Sequence, residues 1–219
     1  MIIKIISYFL FVFLISKYFK DKKMLSNFSG DKHQIYLNDK NIPLIGGFVL
    51  LYPIFQLFKE YDLLILFSLL IFFVGLLSDT KILESPKIRI VIQIILIILF
   101  VTLNDIKINS SRLELFDLFL ENLFFAYLFS SFCILILING SNFIDGLNGL
   151  LLGYTLLVLY FLNKNGLLID LNLEKADTIF FFFVLTFLFI LNISNKVMLG
   201  DSGAYFIGFL LGYAVIKLH

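Results

Sequence analysis

The stretch DLLILFSLLIFFVGLLS, residues 62–78, decides how this chain is read. After Asp62 it carries no charge, and its apolar run approaches the ~20 residues that a helix needs to cross a bilayer. Backbone N–H and C=O groups inside hydrocarbon must be satisfied within the segment, so such a run is expected to be helical. Seven further stretches share the pattern, at approximately 2–19, 42–58, 88–104, 118–139, 146–163, 177–193 and 203–217. The charged tetrapeptide Lys59-Glu-Tyr-Asp62 separates the stretch at 62–78 from the one before it. The first stretch follows Lys4 as a signal peptide would. It lacks a small-residue cleavage site, and seven more spans follow, so it is expected to be a retained helix.

Composition agrees. Sixty per cent of the 219 residues are hydrophobic and 28 are Phe, and mean hydropathy is +1.00. A soluble domain has no means of covering that much apolar surface. The formal net charge is +1, which gives no basic field for nucleic acid. The lone Cys133 lies in an apolar run, can form no internal disulfide, and reads as a small buried hydrophobe. No internal repeat or low-complexity linker divides the chain. The expectation is an all-α, polytopic integral membrane protein of about eight transmembrane helices, with residues 1–219 as a single domain.

With eight crossings, the odd-numbered junctions share one face. These are roughly 20–41, 79–87, 140–145 and 194–202, and they hold the unusual polar residues. Ten basic residues accompany them (Lys17, Lys20, Lys22, Lys23, Lys32, Lys40, Lys81, Lys87, Arg89 and Lys196), against seven on the other side (Lys4, Lys59, Lys107, Arg112, Lys164, Lys175 and Lys217). The positive-inside rule then places the odd face in the cytoplasm, with the protein multi-pass in the plasma membrane.

Three of these junctions carry chemistry. The first reads Gly75-Leu-Leu-Ser78-Asp79-Thr-Lys81, then Ser85-Pro86-Lys87-Ile-Arg89. Pro86 suits the first turn of a helix, and Lys87 and Arg89 beside free helical N–H groups would hold an anion. The second reads Asn139-Gly-Ser-Asn142-Phe-Ile-Asp145-Gly-Leu-Asn148-Gly149. Turn-favouring residues are expected to end one helix near Asn139, and Asp145 is expected where the next begins. An N-cap accounts for one such residue but not for three. On a helical path Asn142, Asp145 and Asn148 would share a face and line one pocket wall. The third reads Asn195-Lys196-Val-Met-Leu-Gly200-Asp201-Ser-Gly203, again with a carboxylate between glycines at a helix start. Asp79, Asp145 and Asp201 would thus face one compartment beside cations. Hard oxygen donors with phosphate point to Mg²⁺. His33 and His219 stand apart, which argues against zinc. The lead-in Ile42-Pro43-Leu-Ile-Gly46-Gly47 adds a flexible turn at the same face.

From about residue 42 onward, these blocks in this order resemble the polyprenyl-phosphate N-acetylhexosamine-1-phosphate transferases of the glycosyltransferase family 4 type. The shared pattern is Pro-x-x-Gly-Gly, Gly-x-x-Asp-Asp with Ser-Pro-Lys-x-Arg/Lys, Asn-x-x-Asp-Gly-x-Asp-Gly-Leu, and Lys-x-x-x-Gly-Asp-x-Gly-Ser/Ala. The resemblance implies transfer of a HexNAc 1-phosphate from a UDP-N-acetylhexosamine to a membrane polyprenyl phosphate, with Mg²⁺ as cofactor and UMP released, in cell-envelope glycan synthesis. It implies Asp201 as metal ligand, Asp79 and Asp145 as catalytic residues, and Arg89, Asn142, Asn148 and Lys196 as substrate-binding residues. Partners implied are the polyprenyl phosphate lipid, the UDP-sugar and the membrane; a homodimer is compatible with this, and nucleic acid is not expected. The chain departs from the pattern where Ser78 replaces the first Asp of the pair and Asn148 replaces the second Asp of the later block. The family's further helices and His-rich loop have no counterpart in these 219 residues, so a C-terminally short member is expected. Two rival readings are a family member that has lost catalysis and serves as a binding or assembly subunit, and a small transporter.

Overall fold

The computed structural model describes residues 2–22, 25–26, 42–171 and 173–218. Lys23, Lys32, Lys40, His33 and His219, cited above, lie outside the described residues. Among the described residues there are ten helices and no strand: α1 Ile2–Lys22, α2 Gly46–Leu57, α3 Asp62–Asp79, α4 Pro86–Leu103, α5 Glu114–Leu120, α6 Leu123–Asp145, α7 Leu150–Lys164, α8 Leu167–Asp170, α9 Lys175–Ile193 and α10 Gly200–Lys217. Each of the eight expected stretches falls on a helix, and α5 and α8 are short additions. Four helices (α3, α4, α6 and α9) are long and apolar enough to cross a bilayer, whereas α2 and α7 are apolar but shorter. The exposed faces of α3, α4 and α6 carry large hydrophobic side chains such as Phe73, Ile95, Leu99 and Phe132. Such faces suit lipid and not water, and the chain is an all-helical polytopic membrane protein.

Both ends of α6 differ from expectation. The sixth helix begins at Leu123, not near 118, because Asn122 caps it by accepting a hydrogen bond from Phe124 N at 2.9 Å. At its other end α6 does not stop near Asn139 but runs through Gly140, Ser141 and Asn142 to Asp145. Turn-favouring residues stay helical here because the helix satisfies their backbone and the Asn139 side chain finds partners. Asn139 Nδ2 donates to Leu135 O one turn back at 3.0 Å and to Gln93 Oε1 on α4 at 2.9 Å.

The bundle is arranged around α10. Every residue from Ser202 to Ala214 is buried, although α10 ends the described chain. It packs most extensively against α6 and α3, and also against α2. Water provides no drive between helices in lipid, so association relies on close backbone approach at small residues. A Cβ placed on Gly75 of α3 would lie 2.4 Å from Ser202 Cα, and one on Gly208 of α10 would lie 2.7 Å from Ile138 Cα of α6.

The junctions sort to the two ends of this bundle. At one end Met198 N donates to Pro43 O at 3.0 Å and Gly46 N to Met198 O at 2.9 Å, joining the lead-in of α2 to the α9–α10 turn. At the other end Lys59 pairs with Glu174 at 2.5 Å, Lys4 with Asp177 at 3.6 Å, and Tyr61 Oη donates to Leu171 O at 3.0 Å. The α2 lead-in and the α9–α10 turn therefore lie apart from the junctions at 59–61 and 171–177.

Two glycines in helices test the role of close packing, with opposite signs expected. Gly75→Ala should cost about 1–3 kcal/mol by overpacking against the α10 backbone. Gly140→Ala should be neutral or stabilising by up to about 1 kcal/mol, since a helical Gly→Ala change lowers chain entropy and nothing lies within 4 Å of that position. In detergent the thermal-unfolding midpoint should fall below wild type for Gly75→Ala and lie at or above it for Gly140→Ala.

Candidate functional site

The site is assembled where α3 and α6 end and α4 and α10 begin. Ser85 precedes α4 and Pro86 opens it, as expected for a residue without an N–H to satisfy. Arg89 therefore stands in the first turn of α4. Its Nη1 donates to Asp201 Oδ2 at 2.6 Å, to Ser78 Oγ, and to Tyr205 Oη at 3.3 Å. Ser78 Oγ donates in turn to Asp201 Oδ2 at 2.5 Å. Three helices thus meet on one carboxylate oxygen. The ion pair is partly screened from water, with 17% of the Arg89 side chain and 27% of the Asp201 side chain exposed. Removing either partner would leave a desolvated charge.

Asp79 ends α3 and turns toward α10. Its Oδ1 accepts from Asp201 N at 2.8 Å and its Oδ2 from Ser202 N at 3.0 Å. These are N–H groups of the first turn of α10, which have no partner within their own helix. Gly200, just ahead of them, has φ +74°, and a Cβ there would lie 2.7 Å from Asp79 Oδ2. Only glycine fits this turn.

Asp145 corrects an expectation. It is the last residue of α6, not the first of the next helix. It is no N-cap, because a carboxylate at a helix C-terminus faces the negative end of the dipole. No hydrogen-bond donor among the described residues reaches its carboxylate, and its charge interacts with those of Asp201 and Asp79. Asn142 lies three residues earlier on the same helix, half-buried. Asn148 does not continue that face. It follows the end of α6, is exposed, and donates from Nδ2 to Asn195 Oδ1 of the α9–α10 turn. Lys196 is exposed in the same turn, with its N–H donating to Leu191 O at 2.8 Å.

Asp79, Asp145 and Asp201 are therefore gathered at one end of the bundle, but not as three free carboxylates around one point. Among the described residues no group of three or more His, Cys, Asp or Glu side chains is placed to hold a metal ion. The backbone N–H groups of α10 occupy the third carboxylate, Asp79. The remaining donors still fit Mg²⁺, which is usually held by one or two carboxylates together with waters and substrate phosphates. Asp145 has no hydrogen-bonded partner among the described residues, and Asp201 has Oδ1 outside the Arg89 pair.

Sequence reading missed the supports beneath the site. Gln93 is fully buried one turn after Arg89, holds Asn139 of α6 through its Oε1, and neighbours Tyr205. The signal was present, since an amide in the run Ile88–Leu103 is costly unless partnered. Asn192 is also buried. Its Oδ1 accepts from Gly149 N at 2.5 Å and its Nδ2 donates to Val197 O at 3.1 Å, so one side chain ties the α6–α7 turn to the α9–α10 turn.

Residues 62–219 match glycosyl transferase family 4, and the chain belongs to that family. It is similar to the phospho-N-acetylmuramoyl-pentapeptide-transferase of Wolbachia pipientis wMel, with 27% identity over 231 aligned positions covering 95% of this chain and 69% of the relative. The enzyme of the same name from Dictyoglomus thermophilum is 28% identical over 190 positions, covering 80% of this chain and 59% of the relative. No solved structure matches the chain.

Asn192→Leu should leave Gly149 N and Val197 O unsatisfied in a buried setting, at about 1–3 kcal/mol for each group. The expected result is a lower unfolding midpoint in detergent, together with faster proteolysis in both the 146–149 and 194–199 turns. Cleavage increased in only one turn would show that Asn192 does not join them.

Proposed function

We propose that this chain transfers a HexNAc 1-phosphate from a UDP-sugar to a membrane polyprenyl phosphate, giving polyprenyl-diphospho-sugar and UMP. An oxygen of the lipid phosphate attacks the sugar-bearing phosphorus of the UDP-sugar, and the bond from that phosphorus to the UMP phosphate breaks. The lipid phosphate is already ionised near neutrality, so the task is positioning and charge neutralisation rather than deprotonation. The arrangement that carries the reading is the meeting of Asp201, Arg89 and Ser78 at one end of the bundle, with Asp145 nearby, in a member of this family.

In this reading Asp201 and Asp145 hold Mg²⁺, which when bound neutralises developing charge on the diphosphate. Arg89 and Lys196 contact phosphate oxygens, while Asn142 and Asn148 contact the nucleotide sugar. A lipid phosphate is presented at the headgroup plane, and helix ends reach that plane. The eight apolar stretches would cross the plasma membrane, with the site facing the cytoplasm, where nucleotide sugars are found.

Purified protein should be incubated with undecaprenyl phosphate, Mg²⁺ and radiolabelled donor, with UDP-GlcNAc and UDP-N-acetylmuramoyl-pentapeptide run in parallel. Mg²⁺-dependent labelled lipid is expected from one donor, and Asp201→Ala should reduce it by about 10²–10³-fold or more. Donor binding without transfer would instead assign a binding subunit. Orientation has its own test: in a Cys133→Ser background, single cysteines at 79, 145 and 201 should all react from the cytoplasmic side. Labelling from opposite sides would end the proposal.

A further inference from the structure

The end of α3 presents three residues to α10 on one helical face, because positions 75, 78 and 79 lie three and four apart. Gly75 lets the α10 backbone approach at Ser202. Ser78 Oγ donates to the Asp201 side chain at Oδ2 (2.5 Å), and the Asp79 carboxylate accepts the backbone N–H groups of Asp201 and Ser202 at 2.8 and 3.0 Å. Leu199, the residue preceding α10, offers no side-chain cap. The cap therefore comes from another helix.

We propose that Ser78 and Asp79 form a two-point clamp on Asp201, one fixing its side chain and the other its backbone. Asp79 is then a positioning residue and not a base or metal ligand. The consequence for activity rests on the transferase reading above; the clamp itself does not. An unclamped α10 would begin with unsatisfied N–H groups at Asp201 and Ser202, and Asp201 would be free to rotate away from Arg89. The clamp also explains why a serine serves at position 78. A hydroxyl both accepts from Arg89 and donates to Asp201, whereas an ionised carboxylate can only accept.

Hydrogen–deuterium exchange of the full chain in nanodiscs, resolved to residues 198–206, reads the clamp without any substrate. Asp79→Ala should raise exchange at the Asp201 and Ser202 amides by about tenfold or more, since their protecting acceptor is gone. Asp79→Asn keeps one acceptor oxygen for the two donors, so one of the two amides should stay within about threefold of wild type while the other approaches the Asp79→Ala value. Ser78→Ala leaves the backbone contacts in place, should exchange as wild type, and keeps the test open if Asp79→Ala fails to fold. Transfer assays across a Mg²⁺ titration complete it. Asp79→Asn should retain activity within about tenfold of wild type with an unchanged half-saturating Mg²⁺ concentration, whereas loss of a general base costs about 10²–10⁴-fold. The clamp is refuted if exchange in Asp79→Ala matches wild type or if Ser78→Ala deprotects the two amides. The positioning role is refuted if Asp79→Asn keeps one of the two amides protected but loses transfer as fully as Asp79→Ala. Should the wild type show no transfer, the transferase reading fails and amide exchange alone decides the clamp.

Discussion

The first N–H groups of α10 are satisfied by a carboxylate carried on α3, and the remainder of the site is built on that contact. A helix that begins inside the protein cannot leave its first turn to water, and an unpaired N–H in a dry setting is expensive. Joining α3 to α10 in this way brings the C-terminal end of one helix against the N-terminal end of the other. The same few residues then determine where Asp201 stands and which way its carboxylate points. Arg89 approaches from α4 to balance that charge, and Tyr205, Gln93 and Asn139 continue the polar contacts inward toward α6.

Close approach makes this arrangement possible. α10 is buried from Ser202 to Ala214 and offers small residues where neighbouring backbones press against it. In a bilayer, where lipid tails are as apolar as the protein core, such contacts replace the hydrophobic effect as the source of helix association. The glycines of the sequence blocks are therefore structural in two senses. Gly75 admits a neighbouring helix, while Gly200 adopts a backbone conformation that places Asp79 over the next two amides. Packing and chemistry are served by the same positions.

Much of the fold was legible because hydrocarbon imposes a simple demand. Apolar runs bounded by charges give helices, and all eight appear. The end of α6 was not legible, because Asn139, Gly140, Ser141 and Asn142 favour turns in water but remain helical here, where Asn139 finds a side-chain partner on α4. That error moved Asp145 to the wrong end of a helix and hid the fact that it caps nothing. Within the site, the residue types at 79, 89, 145 and 201 stood out as charges where charges are costly. Their pairings did not, because the sequence cannot tell a carboxylate bonded to backbone amides from one left to face a ligand.

The sequence by itself determined the class of structure, the family, and the set of polar residues drawn to one end of the helices. Those depend on composition and spacing, which act locally along the chain. Only the tertiary structure decided that Asp79 is bonded to α10, that Asp201 is shared by Ser78 and Arg89, and that Asn192 joins two turns. These contacts link residues as far apart as 123 positions. Which donor meets which acceptor across that separation is set by helix packing, and no local pattern in the sequence encodes it.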